Sequence, residues 1–442
     1  MIQNFKKNII QKQEILISTF LIMFFLLMLF GRSFTGLVIF GYRFGEWLTA
    51  FGLLNSLVIL LLIISKKVAK NKKFFYLNML IVFSFFYQLI IKDVNSFSTY
   101  LIKSSSYIWL ISYIYIGFLI FKRINYENIF LRYITLILPI VYFFQTIYYP
   151  TTLRNFFISN SDKFEYLKAG DILLTFCLIV LISENNFKSK YVYTSFYLIM
   201  AAIFAPYFLY ASKGSLLAFL IIFVFQIKNI IINLKKYKFK SSLVILFSVI
   251  LFFSSTYHIY GNFVFKKEAD NRLQIQEVIT SGVSSILQER NTQQIFASFY
   301  FSDGRLYSED VTANWRLQIW QDIISDLRTN NSLLSGYGYQ NIIPAMDDPE
   351  RRGTDGTNEH VHNYFINIFA RGGLVQLILF IFLHFLIVNI YHQKYQSFKI
   401  IKFILPLLIV AFFDTSMESV RFPILYYSFL GYFYYEDSIY IR

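Results

Sequence analysis

Residues 358–373 read NEHVHNYFINIFARGG and place two of the five histidines, His360 and His362, directly before a long apolar run. An imidazole titrates near ~6.5, so it can take or give a proton at neutral pH. In His-x-His spacing on an extended strand, both rings project to one face. Three readings are open: plain loop histidines, an acid–base or phosphate-donating pair, or a metal site completed by the adjacent Glu359. The metal reading has a thin ligand set. EHVH is not the helical His-Glu-x-x-His pattern, and His258 is the one further histidine expected on the same side. His384 and His392 lie within or at the end of an apolar run and read as packing residues.

A second group of residues suits phosphate. Arg43 stands in GYRFGEW, Lys213 in ASKGSLL and Arg316 in NWRLQIW, while Arg371 and Arg421 begin apolar runs. Cations at helix mouths bind the phosphates of a lipid headgroup or of a lipid-linked substrate. Equally, such cations cap helix ends and snorkel to the membrane interface. Glu46, Asp171, Asp414 and Glu418 lie at or near the same ends, where they can pair with Arg43, Lys213 or Arg421. Acids buried in membranes are often functional, so that pairing is one of two readings. No Gly-x-Ser-x-Gly elbow, phosphate-cradling loop or dinucleotide glycine fingerprint is present. The single cysteine, Cys177, excludes a disulfide framework or a cysteine-based metal site.

The elements that must position these residues are membrane helices. Hydrophobic residues make up 56% of the 442 and mean hydropathy is +0.51, which points to the bilayer as solvent. Tyr (34) suits the interface, with an apolar ring and a polar tip. Apolar runs near spanning length occur at 15–31, 46–65, 74–91, 105–121, 131–149, 169–184, 191–211, 213–233, 242–260, 373–392, 400–414 and 421–435. The sequence therefore predicts an all-α integral membrane protein of about twelve transmembrane helices. The first run follows Lys6, Lys7 and Lys12 and lacks a small-x-small cleavage site, so it reads as an uncleaved span.

Lys and Arg fix the orientation. KKVAKNKK (66–73), KR (122–123), KSK (188–190), KKYKFK (235–240) and Lys394, Lys399 and Lys402 all fall on the side of the N-terminus. The positive-inside rule then puts both termini in the cytoplasm. The organisation expected is a nine-helix region over 1–260, an extracytoplasmic loop over 261–361 and three C-terminal spans over 362–442. That loop holds 14 acidic residues and 9 Lys/Arg, against a net charge of +15 for the chain. The basic balance thus belongs to topology and inner-leaflet lipids rather than nucleic acid. Within the loop, NWRLQIWQDIISDLR (314–328) reads as an amphipathic helix whose apolar face carries Trp320, Ile323, Ile324 and Leu327. SGYGYQN (335–341) breaks it, and 345–359 reads as a mobile loop or lid.

The order of these segments resembles the O-antigen ligase/polymerase family. SKGSLLAFLIIF (212–223) is similar to its Ser-Arg-Gly helix start, and RLQIWQDIISDLRTNNSLLSGYGYQN (316–341) to its Arg-x-x-x-Trp…Gly-x-Gly segment. HVHNYFINIFARGGLVQLILF (360–380) resembles its His-Asn…Gly-Gly segment, and GYRFGEW a short Arg-x-Gly-Glu stretch. The likeness is best over about 170–392. It implies an enzyme acting on sugars carried by undecaprenyl diphosphate at the outer face of the bacterial inner membrane, without metal, cofactor or nucleotide sugar. Carried over residue by residue, it implies that Arg316 and Lys213 hold the diphosphate, with Arg43 and Arg371 as further phosphate ligands. His362 acts at the acceptor hydroxyl with His360 as its alternative, and Glu46, Asn363 and Trp320 support them. The family has Arg where this chain has Lys213, which keeps the charge but loses the planar fork.

The resemblance leaves two activities open. A polymerase joins repeat units of O-antigen or capsule, with a chain-length regulator protein as a further partner. A ligase moves the glycan to lipid A-core. The polymerase is the preferred reading, because the Lys213 departure suits the more divergent group. A transporter without chemistry is the reading from another class, but transporters carry their charges near the midplane.

Overall fold

The computed structural model describes residues 2–65, 73–92, 98–121, 134–162, 164–236, 238–263, 299–352 and 359–436. Much of the expected 261–361 loop (264–298) and part of the expected lid (353–358) lie outside the described residues. The chain divides into two compact units, one of residues 1–188 and 322–442, the other of 189–321.

Each predicted apolar run contains helix within its described residues, but the runs differ in kind. Among the described residues, six helices are long and apolar enough to cross a membrane: Ile17–Thr35, Phe44–Ile64, Lys190–Ala211, Lys213–Lys236, Lys238–Tyr260 and Tyr364–Tyr395. The remaining runs form helices that fall short of that combination of length and apolar character, so the count of about twelve spans is not confirmed. The run 105–121 is cut into Ser106–Leu110 and Tyr113–Phe121. Its serines turn back onto main-chain carbonyls: Ser105 Oγ donates to Leu101 O (2.7 Å), and Ser112 Oγ to Trp109 O (2.7 Å). Such back-bonding competes with the helix ladder and bends it. The run 131–149 passes from a 3₁₀ turn at Ile134–Leu136 through Ile137–Tyr142 to a π turn at Phe143–Ile147. Ile401–Phe413, at 13 residues, covers only about 20 Å at ~1.5 Å per residue.

In the first unit, Ala169–Asn186 and Arg421–Glu436 form the core. Ile172, Phe176, Cys177 and Ile179 on one, and Phe422, Tyr426 and Phe429 on the other, are fully buried. A helix that is apolar all round belongs inside, where other helices cover it. The Tyr364–Tyr395 helix starts nine residues earlier than the apolar run suggests, capped by Asn363 Oδ1, which accepts from Phe365 N (3.0 Å) and Ile366 N (3.1 Å). It breaks at Gly373, whose φ is 67°.

The second unit holds the helices Lys190–Ala211, Lys213–Lys236 and Lys238–Tyr260, tied by Ser255 Oγ donating to Ile203 O (2.7 Å) and Asn233 Nδ2 to Thr194 Oγ1 (2.9 Å). It also contains an antiparallel hairpin, Phe299–Ser302 with Arg305–Ser308, that the sequence reading did not foresee. The expected amphipathic helix is present as Val311–Thr329 and is divided between the two units. Its buried stripe is Ile319, Ile323 and Leu327, each at 0% exposure, whereas Ile324 is 44% exposed and Trp320 is half-buried. The i, i+4, i+8 row, rather than the adjacent Ile323–Ile324 pair, lies inward, as a period of 3.6 requires.

Candidate active site

In the second unit, one of the predicted phosphate ligands, Lys213, is paired with a carboxylate. Ser212 Oγ accepts from Ser215 N (3.3 Å) and caps the Lys213–Lys236 helix, so Lys213 occupies its first position. A cation there has the wrong sign for the helix dipole. Asp310 offsets it, accepting from Lys213 Nζ at 2.6 Å. Asp310 in turn caps the Val311–Thr329 helix through Ala313 N (2.8 Å). Burial pushes its carboxyl up, but the Lys213 and Ala313 hydrogen bonds and the charges of Lys213 and Arg316 outweigh this and hold it below the usual aspartate value. Lys213 and Arg316 thus act on one carboxylate.

The hairpin fixes that helix. Leu306 N donates to Gln321 Oε1 (2.8 Å), Gln321 Nε2 returns to Leu306 O (2.8 Å), and Ser308 N donates to Asn314 Oδ1 (3.1 Å). Asp310 and Arg316 therefore stand on a braced element, while the Lys213 side chain is 52% exposed. Trp320 lies on the same helix, one turn beyond Arg316.

In the first unit, the histidine segment runs into the Tyr364–Tyr395 helix. His360 Nδ1 meets Glu418 Oε2 at 2.6 Å, and Lys103 Nζ donates to the neighbouring Glu359 at 2.7 Å. His362 is half-buried and has φ 53°, a left-handed conformation. The extended strand that would place both rings on one face is therefore interrupted at His362. Asn363 is buried as the helix cap. Groups of three or more His, Cys, Asp or Glu able to hold a metal ion are absent among the described residues.

Arg371 is 4% exposed. Its Nη1 donates to Gly338 O (3.4 Å) and Asn341 O, its Nη2 to Tyr100 Oη (2.8 Å), and its guanidinium lies 5.5 Å from the Tyr100 ring centre. These contacts join two glycine segments. Tyr337 N donates to Ala370 O (2.7 Å), Gly338 N to Arg371 O (3.0 Å) and Leu374 N to Leu333 O (2.8 Å). A Cβ on Gly373 would overlap the Leu334 carbonyl, and one on Gly336 would press on the Arg371 carbonyl. Both glycines also have positive φ, so SGYGYQN and ARGG form a main-chain clasp that only glycine permits. Below it, Tyr107 and Tyr339 bring their hydroxyls within 3.0 Å of each other and both donate to Gln376 Oε1.

Arg43 and Glu46 sit together at the start of Phe44–Ile64, where Glu46 Oε2 accepts from Arg43 N (2.9 Å) and Arg43 Nε lies 3.3 Å from Asp162. Arg421 and Asp171 form a buried pair at 2.9 Å. Lys168 Nζ donates to Thr415 Oγ1 (3.3 Å), and Arg32 lies 3.4 Å from Glu165. Sequence reasoning missed Asp310 altogether and expected Glu418 to pair with Arg43, Lys213 or Arg421, whereas its contact is with His360. Both lie far in sequence from the cation or histidine they hold, and only Asp310 left a local signal, as an Asp three residues before Ala313 at a helix start.

Residues 196–381 match the family model described as O-antigen ligase. The matched stretch contains Lys213, Asp310, Arg316, the glycine clasp and both histidines. No curated protein matches the chain. The apolar helices agree with a multi-pass membrane protein.

Proposed function

We propose that the chain is a polysaccharide polymerase that joins undecaprenyl-diphosphate-linked repeat units of O-antigen or capsule. It works at the outer face of the bacterial inner membrane with both termini in the cytoplasm. The observation that carries this reading is the 2.6 Å ion pair of Lys213 with Asp310 within the family-matched stretch, on a carboxylate that the charge of Arg316 also acts on. An incoming diphosphate competes with Asp310 for Lys213 and also draws on the charge of Arg316. Negative charge develops on that diphosphate as the anomeric C–O bond breaks, and cations fixed beforehand stabilise it. The acceptor sugar hydroxyl forms the new bond to the anomeric carbon and gives its proton to a general base. The lipid diphosphate leaves and no group is oxidised or reduced. Arg371, buried and bound to carbonyls, keeps the clasp closed; Arg43 remains a peripheral phosphate ligand.

The description of the matching family favours a second reading, the ligase, which shares this centre and differs in acceptor. Polysaccharide profiling of a strain lacking the gene separates them. Surface glycan limited to a single repeat unit supports the polymerase, and long undecaprenyl-linked chains that never reach lipid A-core support the ligase. Unchanged glycans overturn both. Complementation with Arg316→Ala is expected to leave the null pattern in place.

A further inference from the structure

We infer that the hairpin of Phe299–Ser302 and Arg305–Ser308 is a membrane anchor, its apolar face covered by phospholipid at the mouth of the Lys213–Lys236 helix. Pairing sets the two faces. Phe299 stands opposite Ser308 and Phe301 opposite Leu306, while Tyr300 stands opposite Tyr307 and Ser302 opposite Arg305. Directly opposed residues share a face, and neighbours along a strand alternate. One face therefore presents Phe299, Phe301 and Leu306. The other stacks Tyr300 on Tyr307, with 5.6 Å between ring centres, beside Ser302 and Arg305. Phe299 is 61% exposed and Phe301 79%. A two-stranded hairpin is marginal in water unless something packs against its apolar face.

The occupant follows from where the hairpin is tied. Ser308 ends the second strand, and its Oγ accepts from Asp310 N (3.2 Å). Asp310 in turn holds Nζ of Lys213, the first residue of a helix long and apolar enough to span the bilayer, at 2.6 Å. Phe299, paired with Ser308, is thus two residues and one strand spacing (~4.8 Å) from Asp310. The mouth of a spanning helix lies among lipid headgroups, the layer that aromatic side chains favour. An amphipathic element there buries its apolar side about 5–10 Å deep and keeps its polar side in water. A second hairpin has its place fixed by the chain itself. Val38–Ile39 pairs with Tyr42–Arg43 between the spanning helices Ile17–Thr35 and Phe44–Ile64, so it meets the bilayer surface, and there Phe40 is 90% exposed. High exposure of phenylalanine has the same origin at 299 and 301. The anchor holds Asp310, and with it the Lys213 ion pair, at the depth of lipid phosphates.

The test places the photo-crosslinking residue p-benzoylphenylalanine, one position at a time, at Phe299, Phe301, Ser302 and Phe40 of the full chain. The protein is illuminated in vesicles of phosphatidylethanolamine and phosphatidylglycerol containing undecaprenyl phosphate, and mass spectrometry identifies the adducts. Gel filtration establishes that each variant is folded; positions 299 and 301 share a face, so either carries the test alone. Phospholipid adducts at 299 and 301 are expected within about threefold of the yield at 40, with the yield at 302 at least ~10-fold lower. Labelling at 40 without phospholipid adducts at 299 and 301 places that face in water and overturns the anchor. An undecaprenyl adduct in place of phospholipid assigns the face to the polyprenyl chain, and a crosslink to a second copy assigns it to a protein interface; either result also overturns it. Equal phospholipid labelling at 302 removes the two-faced orientation on which the inference stands. None of these readouts depends on glycosyl transfer, so failure of the anchor and failure of the proposed reaction are separate results.

Discussion

Two parts of the family-matched stretch bring chain segments together in opposite ways. The glycine clasp joins residues 333–338 to 370–374 through main-chain atoms, is largely buried and contains one cation, Arg371, bound to carbonyls. The Lys213–Asp310–Arg316 cluster is made of side chains, stands partly open and holds an ion pair between groups 52% and 27% exposed. The contrast teaches that a positive charge in a family motif need not touch substrate. Arg371 is too enclosed and too fully bonded to leave its carbonyls for a phosphate. Lys213 is held by a carboxylate that an anion can replace.

The comparison breaks most easily at the clasp. Gly373→Ala should cost more than about 4 kcal/mol, because a left-handed backbone and overlap with the Leu334 carbonyl act together. The folded, monodisperse species should be lost in detergent gel filtration. A normally folded Gly373→Ala would show that the clasp is not structural.

Next is the buried Asp171–Arg421 pair, which tests whether burial alone makes an ion pair structural. Asp171→Ala leaves Arg421 buried without its carboxylate and should destabilise by about 3–5 kcal/mol, read as a lowered thermal midpoint. An unchanged midpoint would mean that water reaches Arg421.

The open cluster should respond in activity and hardly in stability. Lys213→Ala is expected to reduce glycan transfer by ~10²–10³-fold with little change in midpoint, and Lys213→Arg to retain most of it. A fall in midpoint as large as that for Asp171→Ala would move Lys213 to the structural side of the comparison.

The smallest effect concerns pH. Because Asp310 is held below its ordinary value, its contribution is complete above ~3.9 and is lost as pH falls through the lowered folded value. For so exposed a pair the amount is under about 1 kcal/mol. Asp310→Asn should flatten that part of the midpoint-against-pH curve, and an unchanged acid limb would assign it to other groups.

The sequence showed the apolar runs well, because backbone groups in lipid must be satisfied within a helix, and the need leaves long apolar stretches. It did not show which runs are long enough to span. Ser105 and Ser112 look innocuous in a run of apolar residues, and their bonds to carbonyls become visible only in the fold. The cations of the site were legible by type, Arg371 included, but not their surroundings. The carboxylates that hold Lys213 and His360 are 97 and 58 residues away along the chain, and no local spacing rule reaches that far. The hairpin at 299–308 carried the Asp-Gly turn signal within SDGR, and the polarity around it hid the strands.

Cys177 gives the molecule a practical property. It is 0% exposed, enclosed in the Ala169–Asn186 helix, and is the one thiol in 442 residues. A thiol-reactive label added to intact cells therefore meets a silent background. A cysteine introduced at any surface position can be read by itself, so the sidedness of each loop and the shielding of each residue by bound donor can be mapped on the otherwise natural protein.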